Sequence, residues 1–142
     1  MTEVRGHIVV GVDGSEASLD ATRWALRQAQ LTNSELEAVA SWDIPLQFAE
    51  WVAEPIDWDS RARTLLDDAL AAVPVDGDVQ VTRTTLQGHP AQVLTDASTN
   101  ADLLVVGSRG HGGFAGMLLG SVSAHVSAHA HCPVVVVRHP DA

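Results

Sequence analysis

The residues of this chain best suited to chemistry carry no side chain at all. Glycines at 107, 110, 112, 113, 116 and 120 punctuate the stretch from Leu103 to Ser123, LLVVGSRGHGGFAGMLLGSVS. A glycine reaches positive φ at no steric cost and lacks the Cβ that keeps a ligand off the main chain, so such a run offers bare amide N–H groups to an anion. Leu103 to Val106 read as a strand buried on both faces, which Gly107 ends. Gly120 and Ser121 stand where a helix should begin, with Ser121 as its predicted cap and the first-turn amides lacking intrahelical acceptors. Strand, glycine loop and helix N-terminus in that order form an anion-binding arrangement. A flexible surface loop is the plainer reading of a glycine cluster. Its position directly after a buried strand, where doubly wound sheets bind ligands, favours a site.

The rest of the chain supplies the elements that must hold those amides. His7 to Val12 is the first predicted strand and runs into Asp13-Gly14-Ser15. Ser15 is the predicted cap of a helix with Ala17, Ala21, Trp24, Ala25 and Ala29 on its apolar face. Leu36 to Trp42 is the second strand. Residues 43–59 read as an acidic loop whose tryptophans, Trp51 and Trp58, anchor it to the body or, less simply, close over a ligand. Ala62, Leu65, Leu66, Ala69, Leu70 and Val73 mark a second helix, stopped by Pro74. Val79 to Thr85 is the third strand, polar enough for a place at or near a sheet edge. Pro90 opens a third helix with Val93, Leu94 and Ala97 facing inward. A fourth helix follows the glycine loop, and Cys132 to Val137 is the last strand.

This alternation predicts an α/β fold: a doubly wound, five-stranded parallel sheet in the order 3-2-1-4-5, with helices on both faces and right-handed crossovers. In that order the chain reverses direction between strands one and four, which opens a crevice at their carboxyl ends. Asp13 and Gly107 end those two strands and so stand on opposite lips of the crevice. At 142 residues the chain is expected to be one domain, 1–142, able to bury about 70% of its unfolded surface.

Charge narrows the chemistry further. Eight arginines, no lysine and eighteen acids give a net charge of −10, a field that repels nucleic acid and anionic membrane alike, so neither is an expected partner. Without lysine there is no P-loop grip on phosphate and no Schiff-base chemistry. Bound phosphates must rely on backbone amides, on Arg109 or on a metal ion. Cys132 is the only cysteine, the N-terminus has no signal-peptide pattern, and the apolar runs fall short of the ~20 residues of a membrane helix. A cytoplasmic location is expected.

Three segments together resemble the ATP-binding universal stress proteins, over nearly the whole chain. They are Val10-Gly11-Val12-Asp13-Gly14-Ser15; Ala101 to Gly110 with the spacing Gly107, Gly110, Gly120, Ser121; and Cys132-Pro133-Val134. The resemblance implies an adenine nucleotide, ATP with Mg²⁺ or Mn²⁺, lying across the switch point. Carried onto this sequence, it implies that Gly11, Val12 and Asp13 meet the ribose and base, and that backbone groups around Ala40 and Ser41 meet adenine. Gly107, Ser108, Arg109, Gly110, His111, Gly112 and Gly113 would wrap ribose and phosphates. Beyond Gly120, the turn Ser121, Val122 and Ser123 would donate to phosphate oxygens. The chemistry is consistent: a carboxylate accepts from both hydroxyls of a ribose, and helix-start amides suit phosphate. Arg109 is the loop's only cation and is meagre against a triphosphate, so tight ATP binding is expected to need the metal.

Catalysis has less support. His111 is the one candidate base near the loop, so binding with at most slow hydrolysis is expected. His125 and His129 lie four apart on the fourth helix, with His131 and Cys132 beyond, a spacing that suits zinc. The stronger reading is of histidines complementing a helix C-terminus and a cysteine opening a buried strand.

Rival folds of similar size fail on residues. A phosphoacceptor receiver domain needs an aspartate after strand three and a lysine after strand five. A nicotinamide-dependent dehydrogenase needs G-x-G-x-x-G after strand one, where Gly11-Val12-Asp13-Gly14 does not match. An ATP-splitting ligase needs a serine-glycine-glycine phosphate loop in the same place. The alternative that stands is a partner-binding dimer of the resembled family that prefers AMP or cyclic AMP. Val134 to Val137 would be an apolar edge strand, which should be paired, so a homodimer through that strand is expected.

Overall fold

Each central strand carries two interleaved apolar sets, and each set meets its own layer of helices. In the computed structural model, which describes residues 6–43, 56–74, 77–109 and 120–139, the strands are β1 (Gly6–Gly11), β2 (Ser34–Trp42), β3 (Val81–Gln87), β4 (Leu103–Gly107) and β5 (Val134–Val137). The helices are α1 (Glu16–Thr32), α2 (Trp58–Ala72), α3 (Pro90–Ala97) and α4 (Ser121–His129), with a short 3-10 turn at Ser98–Asn100. All pairings are parallel, in the predicted order β3-β2-β1-β4-β5. Ile8, Val10, Leu36, Ala38, Ala40 and Val105 pack against α1 and α2. Val9, Val39, Leu104 and Val106 pack against α3 and α4. Burial on both faces is why β1 and β4 read as apolar runs, whereas β2 carries Glu35 and Glu37 among its apolar residues.

The α1 face is small because the helix lies close to the sheet. Ala21, Ala25 and Ala29 are fully buried. The closest approach is at Gly107, where a Cβ would fall 2.7 Å from the carbonyl carbon of Ala17 and 2.8 Å from its oxygen. The end of β4 therefore touches the first turn of α1 only because residue 107 has no side chain. Ser15 Oγ caps α1 by accepting from the Ser18 amide at 3.2 Å, and Asn33, at φ 54°, ends the helix in the left-handed conformation and turns the chain into β2.

Boundaries move by a few residues where tertiary pairing outweighs local pattern. β3 begins at Val81, not Val79, because its ladder starts opposite Leu36, and it continues past Thr85 to Gln87 because β2 itself runs to Trp42. β3 and β5 are the two edges. β5 begins at Val134; before it, the Pro133 carbonyl accepts from the Leu104 amide at 3.0 Å.

Candidate functional site

A cavity of about 340 Å³ opens at the carboxyl ends of β2, β1 and β4, within the range of small-ligand sites. Neighbouring strands lie about 4.8 Å apart, so β2 to β4 spans about 10 Å. From β1 come Gly11, Val12 and Asp13. Asp13 Oδ1 accepts from the Ser15 amide at 2.9 Å, and the Asp13 amide donates to Ser18 Oγ at 3.3 Å. The turn that caps α1 thus also fixes the Asp13 carboxylate at the rim.

Across the cavity stand Gly107, Arg109 and the turn from Gly120 to Ser123. Gly120, not Ser121, is the N-cap of α4, with no side-chain hydrogen bond. Its N–H donates to the Ser108 carbonyl, which draws residue 120 into the extended cap conformation and leaves Ser121 as the first helical residue. Ser123 Oγ donates to the carbonyls of Ser108 (3.0 Å) and Gly120 (3.1 Å), so the hydroxyl expected to reach a phosphate is committed to the main chain. What this turn offers a ligand is amide N–H. Ser108 is buried: its amide donates to the Val137 carbonyl at 2.8 Å, and it joins β5 to α4 rather than lining the cavity. Gly110, His111, Gly112 and Gly113 lie outside the described residues.

Arg109 carries an unsatisfied group. Its Nε is buried with no hydrogen-bond partner among the described residues. A buried donor on a cation left without an acceptor is costly, and Arg109 itself lines the cavity. Together with the uncapped α4 turn, this donor set fits a phosphate group.

The third wall was only half visible in the pattern. Ala40 and Ser41 line it as expected, joined by Val39, Trp42 and Asp43. Ala62 and Leu65 of α2 close it on one side, and Gly88, Pro90 and Leu94 on the other. The strand order carried the signal for these residues, because it places the β3–α3 turn beside the end of β2. There the Gly88 amide, at φ 140°, donates to the Trp42 carbonyl at 2.8 Å. Trp51 lies outside the described residues.

The zinc-like spacing does not assemble. The rings of His125 and His129 are 4.5 Å apart, yet among the described residues no group of three or more His, Cys, Asp or Glu converges. Burial, and then the Asp102 charge, push the Cys132 thiol above its usual pKa, away from the thiolate a metal needs. Among the described residues no helix is long and apolar enough to cross a membrane.

A parallel doubly wound sheet with a cavity at its switch point defines an α/β protein of the nucleotide-site architecture. The family model described as Universal stress protein family matches residues 5–138, and the chain belongs to that family. It is 42% identical over 135 residues to a universal stress protein of Mycobacterium tuberculosis (strain ATCC 25618 / H37Rv), covering 92% of this chain and 44% of that protein. The chain thus spans about half the length of the curated relatives it matches. Among solved structures it is similar to the universal stress protein UspA from Lactobacillus plantarum, with a TM-score of 0.80, 23% identity, and coverage of 96% of this chain and 100% of that one. It is also similar to a universal stress protein described in complex with cAMP, with a TM-score of 0.72, 28% identity, and coverage of 96% and 98%.

Proposed function

We propose that the cavity binds an adenine nucleotide, ATP with Mg²⁺ or Mn²⁺, and that residues 1–142 act as one nucleotide-dependent regulatory or stress-response domain in the cytoplasm. One observation carries the reading: Asp13, Arg109 and the uncapped first turn of α4 line a single cavity. In this pose the base lies at the end of β2, beside Ala40 and the backbone of Ser41, between Leu94 on one side and the α2 wall on the other. Asp13, with Gly11 and Val12, receives the ribose hydroxyls. The phosphates run toward Gly107 and the amides of Ser121, Val122 and Ser123, where the helix dipole contributes about 0.3 to 1 kcal/mol per favourable charge. The metal, held by phosphate oxygens, supplies the positive charge that one arginine does not. The reading is one of binding, with hydrolysis at most slow.

A second reading has two observations behind it: a partner-binding dimer preferring AMP or cyclic AMP. A solved relative at 28% identity is described with cAMP, and β5 is an apolar edge strand, half-buried along its length. Calorimetric titration of ATP with Mg²⁺, of AMP and of cyclic AMP decides between the readings by which ligand binds tightest. In the same titrations, Asp13→Ala should lower affinity about ten- to a hundredfold while the chain stays folded, the lost Ser15 hydrogen bond costing about 0.5–1.5 kcal/mol of stability. Unchanged affinity removes Asp13 from the site.

A further inference from the structure

The α2 side of the cavity is organised by a carboxylate that does not line it. Asp59, in the first turn of α2, accepts hydrogen bonds from three elements. Trp42 Nε1 at the end of β2 (3.1 Å) and Thr85 Oγ1 of β3 (2.5 Å) both donate to Oδ1, and Arg63 Nε, one turn along α2, donates to Oδ2 (2.8 Å). The hydroxyl of Thr85 first, and then Arg63, hold the Asp59 carboxyl below its usual range, so it remains an acceptor at neutral pH. Trp42 is held a second time through its main chain, by the Gly88 amide. An indole has two side-chain torsions; with its one polar atom tied to Asp59 and its backbone tied to the β3–α3 turn, it has little freedom left. Trp42, Ala62 and Leu65 line the cavity together. The indole N–H is spent on Asp59 and the other two side chains are apolar, so this wall selects by flatness and area.

We propose that Trp42 is the surface on which the base of a bound nucleotide packs, that Asp59 is the positioning residue that sets the indole's angle, and that the site consequently prefers purine to pyrimidine nucleotides. The inference rests on the nucleotide reading above and adds to it the source of base selectivity. Every base stacks on an aromatic side chain, a contact worth on the order of tenfold in affinity, and the larger flat face of a purine gains more from it than that of a pyrimidine. Ribose and triphosphate, shared by ATP and UTP, meet Asp13 and α4 rather than this wall.

The test is calorimetry of ATP and of UTP, each with Mg²⁺, on the full chain and on Trp42→Leu, Asp59→Leu and Asp59→Asn. The wild type should favour ATP by about fivefold or more. Trp42→Leu and Asp59→Leu should bring the two affinities within about threefold, chiefly by weakening ATP. Asp59→Asn, which keeps an oxygen for the indole N–H, should restore the preference. An unchanged ATP-to-UTP ratio in Trp42→Leu, which retains the Asp59 network, overturns the assignment and leaves the nucleotide reading standing. A parallel loss of both ligands in Asp59→Leu that Asp59→Asn does not recover marks Asp59 as structural and overturns its positioning role. Failure of the wild type to bind either nucleotide overturns the underlying reading and this assignment with it.

Discussion

Two glycines at the lips of the cavity make a matched experiment on close packing. A Cβ built at Gly107 falls 2.7 Å from the main-chain carbon of Ala17; a Cβ built at Gly11 falls 2.7 Å from Leu94 Cδ1. The distances agree and the obstacles differ. Ala17 belongs to the first turn of α1, which is pinned by the Ser15 cap, so Gly107→Ala must push β4 and α1 apart. Overpacking of that kind costs about 1–3 kcal/mol, or roughly 3–10 °C of melting temperature for a chain of this length. Leu94 Cδ1 is the tip of a side chain that can turn, and alanine gains about 0.5–1 kcal/mol over glycine in a strand, so Gly11→Ala should lie close to wild type. Thermal melts followed by circular dichroism, with urea titration as a second measure, would read the difference. Equal loss in the two variants, or a larger loss in Gly11→Ala, would refute the claim that backbone contact at Gly107 sets the spacing of β4 and α1.

Other predictions follow from particular contacts. When protonated, His7 donates from Nδ1 to Glu35 Oε1 (2.7 Å) and from Nε2 to Glu37 Oε1 (2.9 Å), and Thr84 Oγ1 donates to Glu37 Oε2 (2.7 Å). Burial opposes charging His7, but the hydrogen bonds to the two glutamates and then their charges outweigh it and raise its pKa above 6.5. The stability this contributes is fully present below that value and lost as pH rises through the raised pKa. The stability gap between wild type and His7→Gln in urea should therefore narrow from pH 5.5 upward, and a gap independent of pH would contradict it. Ser123→Ala removes hydroxyl contacts to Ser108 and Gly120 and should cost about 1–2 kcal/mol in stability, while calorimetric affinity for nucleotide changes little. The reverse pattern, affinity lost and stability kept, would return the hydroxyl to the phosphate. Pairing through β5 predicts a dimer by sedimentation at high micromolar concentration; a monomeric wild type would remove that interface.

The parallel sheet is legible from the alternation of strand and helix patterns; its order comes from taking the common five-strand winding, and once that order holds the switch point follows by topology. Asp13 and Gly107 therefore fall on one crevice by strand order alone. The cap of α4 was not legible in the same way. Gly120 and Ser121 are both acceptable caps, and the choice falls to the Ser108 carbonyl, which is distant from neither in space but is separated from them by the glycine loop in sequence. Ser108 itself reads as a loop residue beside the ligand, yet its amide is used by Val137, a partner that only the β4–β5 register reveals. Trp42 and Leu94 fit the apolar pattern of a core equally well, and nothing local distinguishes a core side chain from one that stops at a cavity. Gly88 was passed over because its role comes from a turn at φ 140° whose acceptor, the Trp42 carbonyl, lies on another strand.

The central claim is that main-chain hydrogens at the start of α4 receive the phosphates while Asp13 receives the ribose. Amide chemical-shift mapping by ¹H–¹⁵N nuclear magnetic resonance, with ATP and Mg²⁺ titrated into the labelled chain, tests this at each residue. The largest shifts should fall on Gly107, Ser121, Val122 and Ser123, with a second group at Gly11, Val12 and Asp13. Shifts confined to other surfaces, or none at saturating nucleotide, would contradict it.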